Sequence, residues 1–324
     1  MGFLSRPLCV TIAAGLLAGC SAGPQASPSA LPGSIALARV PVPGLTHIYV
    51  SENSNANILG YAYPSENHAN SGPNCTVAGV KGPHNIATDA HKDLIDPDSG
   101  TDSILIYGPG WCAAQAAAIP DPYGEPVDAA SNNALSGKIA VANITDFSSV
   151  NGGAGSIAVC TVHSGCTQNL TNSSMAYVGG VAMANNGDCW ASAVNSSGGA
   201  ELVYFANCTG GGVVQSGFSN NYYGGLDIDK TGYIVSEDEG HIWVYKGCES
   251  GCNVLSGPWA MHNYSVYAHL NSTSTYLAAA DNTNGAIDLY KYKPEHITYA
   301  FSFTSGLSVS EGVLGVAWLP RSRE

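Results

Sequence analysis

Charge is scarce in this sequence. Asp, Glu, Lys and Arg together make up 11% of its 324 residues, and Lys and Arg number only 11 against 24 Asp and Glu. A formal net charge of -13 argues against a nucleic-acid partner, whose phosphates need clustered cations. It argues equally against adsorption to anionic lipid headgroups by charge. Past residue 20 no apolar stretch approaches the roughly 18 residues of a membrane-crossing helix. Catalytic signatures are missing as well: there is no Gly-x-Ser-x-Gly elbow, no His-Glu-x-x-His and no Gly-x-Gly-x-x-Gly after a strand. Cys-x-x-Cys pairs are absent, so a structural zinc site has no ligand spacing to support it.

What is present is glycine, 39 residues of it, together with aromatics and a motif that returns. An apolar residue stands three positions before an aromatic one in Ile58-Leu59-Gly60-Tyr61, Ile104-Leu105-Ile106-Tyr107, Leu202-Val203-Tyr204-Phe205, Ile242-Trp243-Val244-Tyr245 and Ile287-Asp288-Leu289-Tyr290. Ile157-Ala158-Val159-Cys160 is a sixth copy with cysteine in the aromatic slot. The anchors 61, 107, 160, 205, 245 and 290 are spaced by 46, 53, 45, 40 and 45 residues. Short β segments repeating at that interval predict a propeller with one sheet per repeat.

The N-terminus has its own pattern. Leu8 to Leu17 is a short apolar run after Arg6, ending in Leu17-Ala18-Gly19-Cys20. Too short to span a bilayer, residues 1–19 read as a signal peptide. The four residues at its end resemble the bacterial lipobox, which implies acylation of Cys20 as the mature N-terminus. An ordinary signal peptide cut at the same small residues is the alternative. Ser21 in place of Asp implies that export to the outer membrane is permitted. The expected address is the bacterial cell envelope, lipid-anchored in the outer or cytoplasmic membrane, with the folded part facing periplasm or exterior. Residues 20–44, rich in Ser, Ala, Pro and Gly, read as a flexible tether. Residues 45–320 carry the fold and 321–324 form a tail.

Ten cysteines less Cys9 in the signal and Cys20 at the lipid site leave eight, an even number suited to disulfides outside the cytoplasm. Cys160 and Cys166 match Cys248 and Cys252 in repeat position. Cys189 and Cys208 bracket one strand, and Cys75 and Cys112 each follow an anchor strand. Eight cysteines allow many pairings, so connectivity stays open at this level.

Each repeat reads as four strands, A to D, from the channel outwards. A strands are expected around His84–Ala87, Gly124–Val127, Gly179–Met183, Gly224–Ile228 and Tyr267–Leu270. B strands are expected at Lys138–Ala142, Cys189–Val194, Tyr233–Ser236 and Tyr276–Ala280, and the anchor strands are C. His47–Val50 looks like a B strand with no A before it, and Gly312–Leu319 like an A strand with nothing after it. Pairing them closes an all-β ring of six blades and hides the edges. Ile119-Pro120-Asp121-Pro122-Tyr123 reads as an insertion overhanging one face.

The strings Gly224-Gly225-Leu226-Asp227-Ile228-Asp229-Lys230-Thr231-Gly232-Tyr233-Ile234-Val235 and Gly180-Val181-Ala182-Met183-Ala184-Asn185-Asn186-Gly187-Asp188-Cys189-Trp190-Ala191 look like NHL-type blades. The chain over about 45–320 resembles six-bladed NHL and gluconolactonase-like propellers of bacterial surface lipoproteins. The resemblance implies fold, and its activities range from enzymes to protein-binding scaffolds, so function has to be argued from the site.

Asp227, Asp229, Thr231, Gly232 and Asp238 have calcium-loop spacing, but the same register occurs in the other A–B turns, and a hairpin turn is the stronger expectation. The functional expectation lies at the channel mouth, where the A strands begin: His84, Asn85, Glu125, Tyr223, Tyr267, His269 and Glu311. The gluconolactonase-like resemblance implies a divalent cation such as Ca²⁺ there, polarising a lactone carbonyl, with Glu125, Asn85 and Glu311 as the counterparts offered by this chain. A water-filled channel lined by ordinary polar side chains is the plainer reading. The expected function is a lipid-anchored envelope module that binds a small molecule or an envelope protein; the alternative is a metal-dependent lactonase-like hydrolase. No cofactor is required by the sequence, and no catalytic residue is assigned.

Overall fold

A computed structural model describes residues 47–62, 72–146, 153–265, 267–308 and 312–319. Cys20, the tether and Glu311 lie outside the described residues.

The chain forms twenty-four strands among the described residues. The first blade contains β1 (His47–Glu52), β2 (Asn57–Ala62) and β3 (Cys75–Val77). The second contains β4 (Ala87–Thr88), β5 (Leu94–Asp98), β6 (Ser103–Tyr107) and β7 (Gln115–Pro120), and the third β8 (Gly124–Ser131), β9 (Ile139–Asp146), β10 (Ser156–Thr161) and β11 (Gly165–Leu170). The fourth contains β12 (Tyr177–Met183), β13 (Cys189–Val194), β14 (Ala200–Phe205) and β15 (Val213–Val214). The fifth contains β16 (Leu226–Ile228), β17 (Ile234–Asp238), β18 (His241–Lys246) and β19 (Asn253–Ala260), and the sixth β20 (Ala268–Leu270), β21 (Tyr276–Asp281), β22 (Ala286–Lys293) and β23 (His296–Phe303). The last strand, β24 (Val313–Leu319), pairs antiparallel with β1, with Val50 opposite Val316 and Ile48 opposite Trp318. It supplies the first blade's missing A strand, so the result is six four-stranded antiparallel sheets. The A strands touch in order around the ring, β4 to β8, β12, β16, β20, β24 and back to β4.

The anchor motif has a simple cause. Side chains alternate faces along a strand, so residues three apart point to opposite sides of a blade. Ile242 packs toward the sixth blade and Tyr245 toward the fourth. Ile104 and Tyr107 divide in the same way, toward the third and first blades. Every C strand is therefore apolar on both faces, as expected of a strand covered on both sides. Six buried clusters fill the six junctions between neighbouring blades, including the one between sixth and first. Six blades in an open arc would have only five such junctions.

Among the described residues there are four disulfides, which settle the pairing that the sequence left open. Cys160–Cys166, Cys189–Cys208 and Cys248–Cys252 lie within single blades, whereas Cys75–Cys112 ties the first blade to the second. The segment Ile119–Tyr123 is not an overhanging insertion. Ile119 and Pro120 end β7, and Ile119 is buried between the second and third blades. Asp121 is buried, accepting hydrogen bonds from the Tyr123 N–H at 2.9 Å and the Asn143 amide at 3.1 Å.

Candidate functional site

The start of each A strand and the end of each B strand share one face of the ring. The connectors leading into the A strands are held there by a repeated clamp. An acid at the end of strand B accepts from the connector: Asp98 from the Gly82 N–H at 2.9 Å, Asp238 from the Asn221 N–H at 2.6 Å, Asp281 from the Asn263 amide at 2.8 Å, and Glu52 from the Ser308 N–H. The anchor tyrosine supplies the second point. Tyr245 donates to Asn220 Oδ1 at 2.7 Å, Tyr61 donates to the Ser305 carbonyl at 3.0 Å, and the Tyr290 hydroxyl accepts from the His262 N–H at 2.8 Å. The buried acids are hydrogen-bonded, as burial of a charge requires. Any side chain on these connectors is thus delivered to the mouth by a rigid frame.

Within the channel wall, Asn85, Asp128, Asp227 and His269 form a buried polar ring segment. The Asn85 amide donates to Asp128 Oδ1 at 2.8 Å and lies 3.0 Å from His269 Nε2. His269 Nδ1 is 3.5 Å from Asp227 Oδ2. Both aspartates also staple neighbouring A strands. Asp128 accepts from the Ala129 and Val181 N–H groups, at 2.8 and 2.7 Å, and Asp227 from those of Ile228 and Leu270, at 2.7 and 2.9 Å.

This arrangement bears on the expected cation. A divalent ion needs several oxygens turned to one point, whereas here the Asn85 amide is turned to Asp128 and the aspartate oxygens to backbone N–H groups. Among these buried groups only Asn85 Oδ1 is an oxygen without a partner, one where the ion needs several, so they do not fit it. Asp229 accepts from the Thr231 and Tyr233 N–H groups at 2.8 and 3.0 Å, so the calcium-like spacing at 227–238 is a hairpin turn. Among the described residues one group of three potential metal ligands is found, Asp121 with Cys160 and Cys166, and those two sulfurs form a disulfide.

The expected site residues divide. Asn85 and His269 meet in the channel wall. Tyr223 and Tyr267 meet at the mouth. His84 lies half-buried beside Asp98; burial lowers its pKa to about 4, against the opposing pull of the Asp98 charge. Glu125 is half-buried near the start of β8 and joins neither group.

The mouth holds more than the sequence reading found. Tyr177 opens β12, Tyr222 and Tyr223 precede β16, and Tyr264 and Tyr267 precede β20, which brings five phenols together from three successive blades. Tyr222 and Tyr223 have ring centroids 4.6 Å apart. Tyr223 lies flat on the Gly179 backbone, where a Cβ would meet its ring at 2.0 Å. A Cβ on Gly224 would lie 1.9 Å from the Glu237 carbonyl oxygen, so the chain approaches there only as glycine. Tyr267 is buried, while Tyr177 and Tyr264 are 46% and 45% exposed. Burial raises the pKa of Tyr223 to about 12, with smaller pushes from Tyr222, Tyr264, Glu239 and Tyr177. Tyr264 is raised by burial and then by Glu239, Tyr222 and Glu237. Tyr267 is raised by burial and by Asp128, Tyr223 and Glu237, which connects the mouth to the channel wall.

Glu237 lies near Tyr264, Tyr267 and Tyr290, whose hydroxyls feel its charge. It is 2% exposed, its carboxyl has the Ser265 hydroxyl as its polar neighbour, and burial raises its pKa to about 8. Ser265 draws it partly back, while its own hydroxyl donates to the Tyr267 carbonyl at 3.3 Å. The one sequence signal for this cluster is tyrosine shortly before a Gly-Gly pair, Tyr177-Val178-Gly179-Gly180 and Tyr222-Tyr223-Gly224-Gly225. Nothing comparable marks Glu237.

No protein-family profile matches the chain, and no curated protein matches it. Solved structures do. A chain in the crystal structure of a nidogen/laminin complex is similar with a TM-score of 0.60 and 13% identity, over 84% of this chain and 97% of that one. A functionally unknown protein from Desulfotomaculum acetoxidans DSM 771 is similar with a TM-score of 0.52 and 8% identity, over 83% of this chain and 98% of that one. Identities this low show the fold alone, a six-bladed β-propeller.

Proposed function

We propose that this chain is a binding module of the bacterial cell envelope, of the NHL-like blade type, held to the membrane through an acyl group on Cys20. Its ligand, a small molecule or a segment of an envelope protein, is taken at the face where the A strands begin. One observation carries the reading: phenols from three blades converge on that face with two of them about half exposed, in a protein whose anchor tyrosines are buried. Tyrosines that present a face to water while fixed from behind are suited to recognition. The resemblance to a propeller solved in a nidogen/laminin complex is compatible with protein binding and adds only the architecture.

The test is a thermal-shift screen of amines, sugars, organic acids and short peptides. A ligand that binds only the native state raises Tm by mass action. Compounds that stabilise the wild type should leave Tyr223→Ala/Tyr264→Ala unmoved. If hits stabilise both proteins equally, the site is elsewhere. Radiolabelled palmitate should be incorporated into the wild type and lost in Cys20→Ala; equal labelling of both would refute the anchor.

A further inference from the structure

We infer that the mouth over the fourth to sixth blades is a cage for an organic cation, an alkylammonium head held by tyrosine faces near the carboxylate of Glu237. This rests on the binding role proposed above and names the ligand's chemistry.

Three features of the site point to positive charge. First, the tyrosines present π-faces, which are negative and attract cations within about 6 Å of the ring centroid. The pair Tyr222 and Tyr223 makes a wall with rings 4.6 Å apart, and Tyr177 and Tyr264 stand exposed to either side of it in the ring order. Second, Glu237 is a buried acid whose polar neighbours, Ser265 and Asp238, offer it no positive charge. A buried carboxyl without a counter-ion is costly, and such groups are kept where they meet a partner or serve a function. Third, the connectors that carry these tyrosines, segments 171–177, 215–225 and 261–267, have neither Lys nor Arg. Glu239, on the turn after β17, adds a second negative charge felt by Tyr222, Tyr223 and Tyr264.

Both sources of such a cation, a small quaternary amine and a lysine side chain of a protein, share this chemistry. A neutral sugar would also stack on tyrosine, but it would leave the Glu237 carboxyl without a charged partner. The groups that face Glu237 are Asp238 on its own strand, Ser265, Tyr264 and Tyr267 on the connector into β20 and at its start, and Tyr290 on β22. None of them carries positive charge. With its pKa raised to about 8, Glu237 is protonated near neutrality and becomes a full counter-ion only in alkaline solution or when a cation arrives.

The experiment is calorimetric titration of the full chain with choline, with n-butylammonium as a lysine side-chain mimic, and with 3,3-dimethylbutan-1-ol, the neutral isostere of choline. Choline should bind saturably and at least about tenfold more tightly than the neutral alcohol, as expected of a desolvated cation–π site. Its charge does not titrate, so affinity should rise about tenfold or more between about pH 6 and pH 9 as Glu237 ionises. Glu237→Gln is isosteric and relieves a buried acid, so it should fold, and it should flatten that pH dependence and weaken choline binding. Tyr222→Leu should weaken choline at every pH. A stronger response to n-butylammonium than to choline would assign the cage to a lysine side chain, and the reverse to a small quaternary amine. Equal binding of choline and the alcohol, or no saturable binding of either cation, would overturn the cage. If hits from the thermal-shift screen are still lost on Tyr223→Ala/Tyr264→Ala, the mouth survives as a site for a neutral ligand and only the cation falls.

Discussion

At the scale of the residue, Glu237 and His84 pull stability in opposite directions. Glu237 keeps its proton in the folded chain up to about pH 8, against an ordinary value of 4.5, so folding binds a proton in that window. Stability is then lost as pH rises from about 4.5 to 8. His84, lowered from 6.5 to about 4, resists protonation when folded, so its contribution is lost as pH falls through that range, and His47 is lowered in the same sense. Above about pH 6.5 both histidines are neutral in either state and the acids alone act. Asp96, raised by burial and then by the Asp98 charge, has the same sign as Glu237. Tm should therefore fall between about pH 6.5 and 8, and Glu237→Gln should make the fall shallower. A slope unchanged in that variant would mean that the carboxyl is ionised in the folded protein.

At the scale of the element, the C strand links sequence most directly to packing. Its i and i+3 positions serve two different junctions, so one strand damages two neighbours when altered. Ile242→Val should cost about 0.5–1.5 kcal/mol and Ile242→Ala about 2–5 kcal/mol in urea unfolding. Costs within experimental error for both would contradict its burial between the fifth and sixth blades. Tyr245→Phe keeps the ring but strips a hydroxyl that donates to Asn220 Oδ1 and accepts from the Ser219 N–H. The loss should be about 1–3 kcal/mol, since the buried Asn220 Oδ1 is left without its donor. The strand set was legible because each element is short, apolar on both faces and separated by turn residues. Ile119–Tyr123 was not, because a D strand is half exposed and lacks that double-faced pattern. The acids that clamp the connectors were legible in principle: Glu52 and Asp98 are 46 residues apart and Asp238 and Asp281 are 43, the same period as the anchors. Their role shows only when the connector they hold is seen.

At the scale of the whole molecule, β24 on β1 closes the ring, and Cys75–Cys112 staples the closing blade to the second. A cross-link over 37 residues restricts the unfolded chain far more than one over 4. Removing Cys75–Cys112 with serines should cost about 3–4 kcal/mol, and removing Cys248–Cys252 about 2 kcal/mol, on the loop-entropy scale. An equal loss for the two pairs, measured by denaturant unfolding, would show that native-state contacts rather than chain entropy dominate. By itself the sequence determined the number of blades and the seam that closes them, because each depends on a pattern repeated along the chain, whereas the pairing of the eight cysteines was decided only in the folded ring. Only the tertiary structure decided that Tyr177, Tyr222 and Tyr264 share one rim and that Glu237 lies buried near Tyr264 with no cation facing it. Those residues are separated by a blade's length of chain, and convergence on an axis is a property of the ring, which no local spacing encodes.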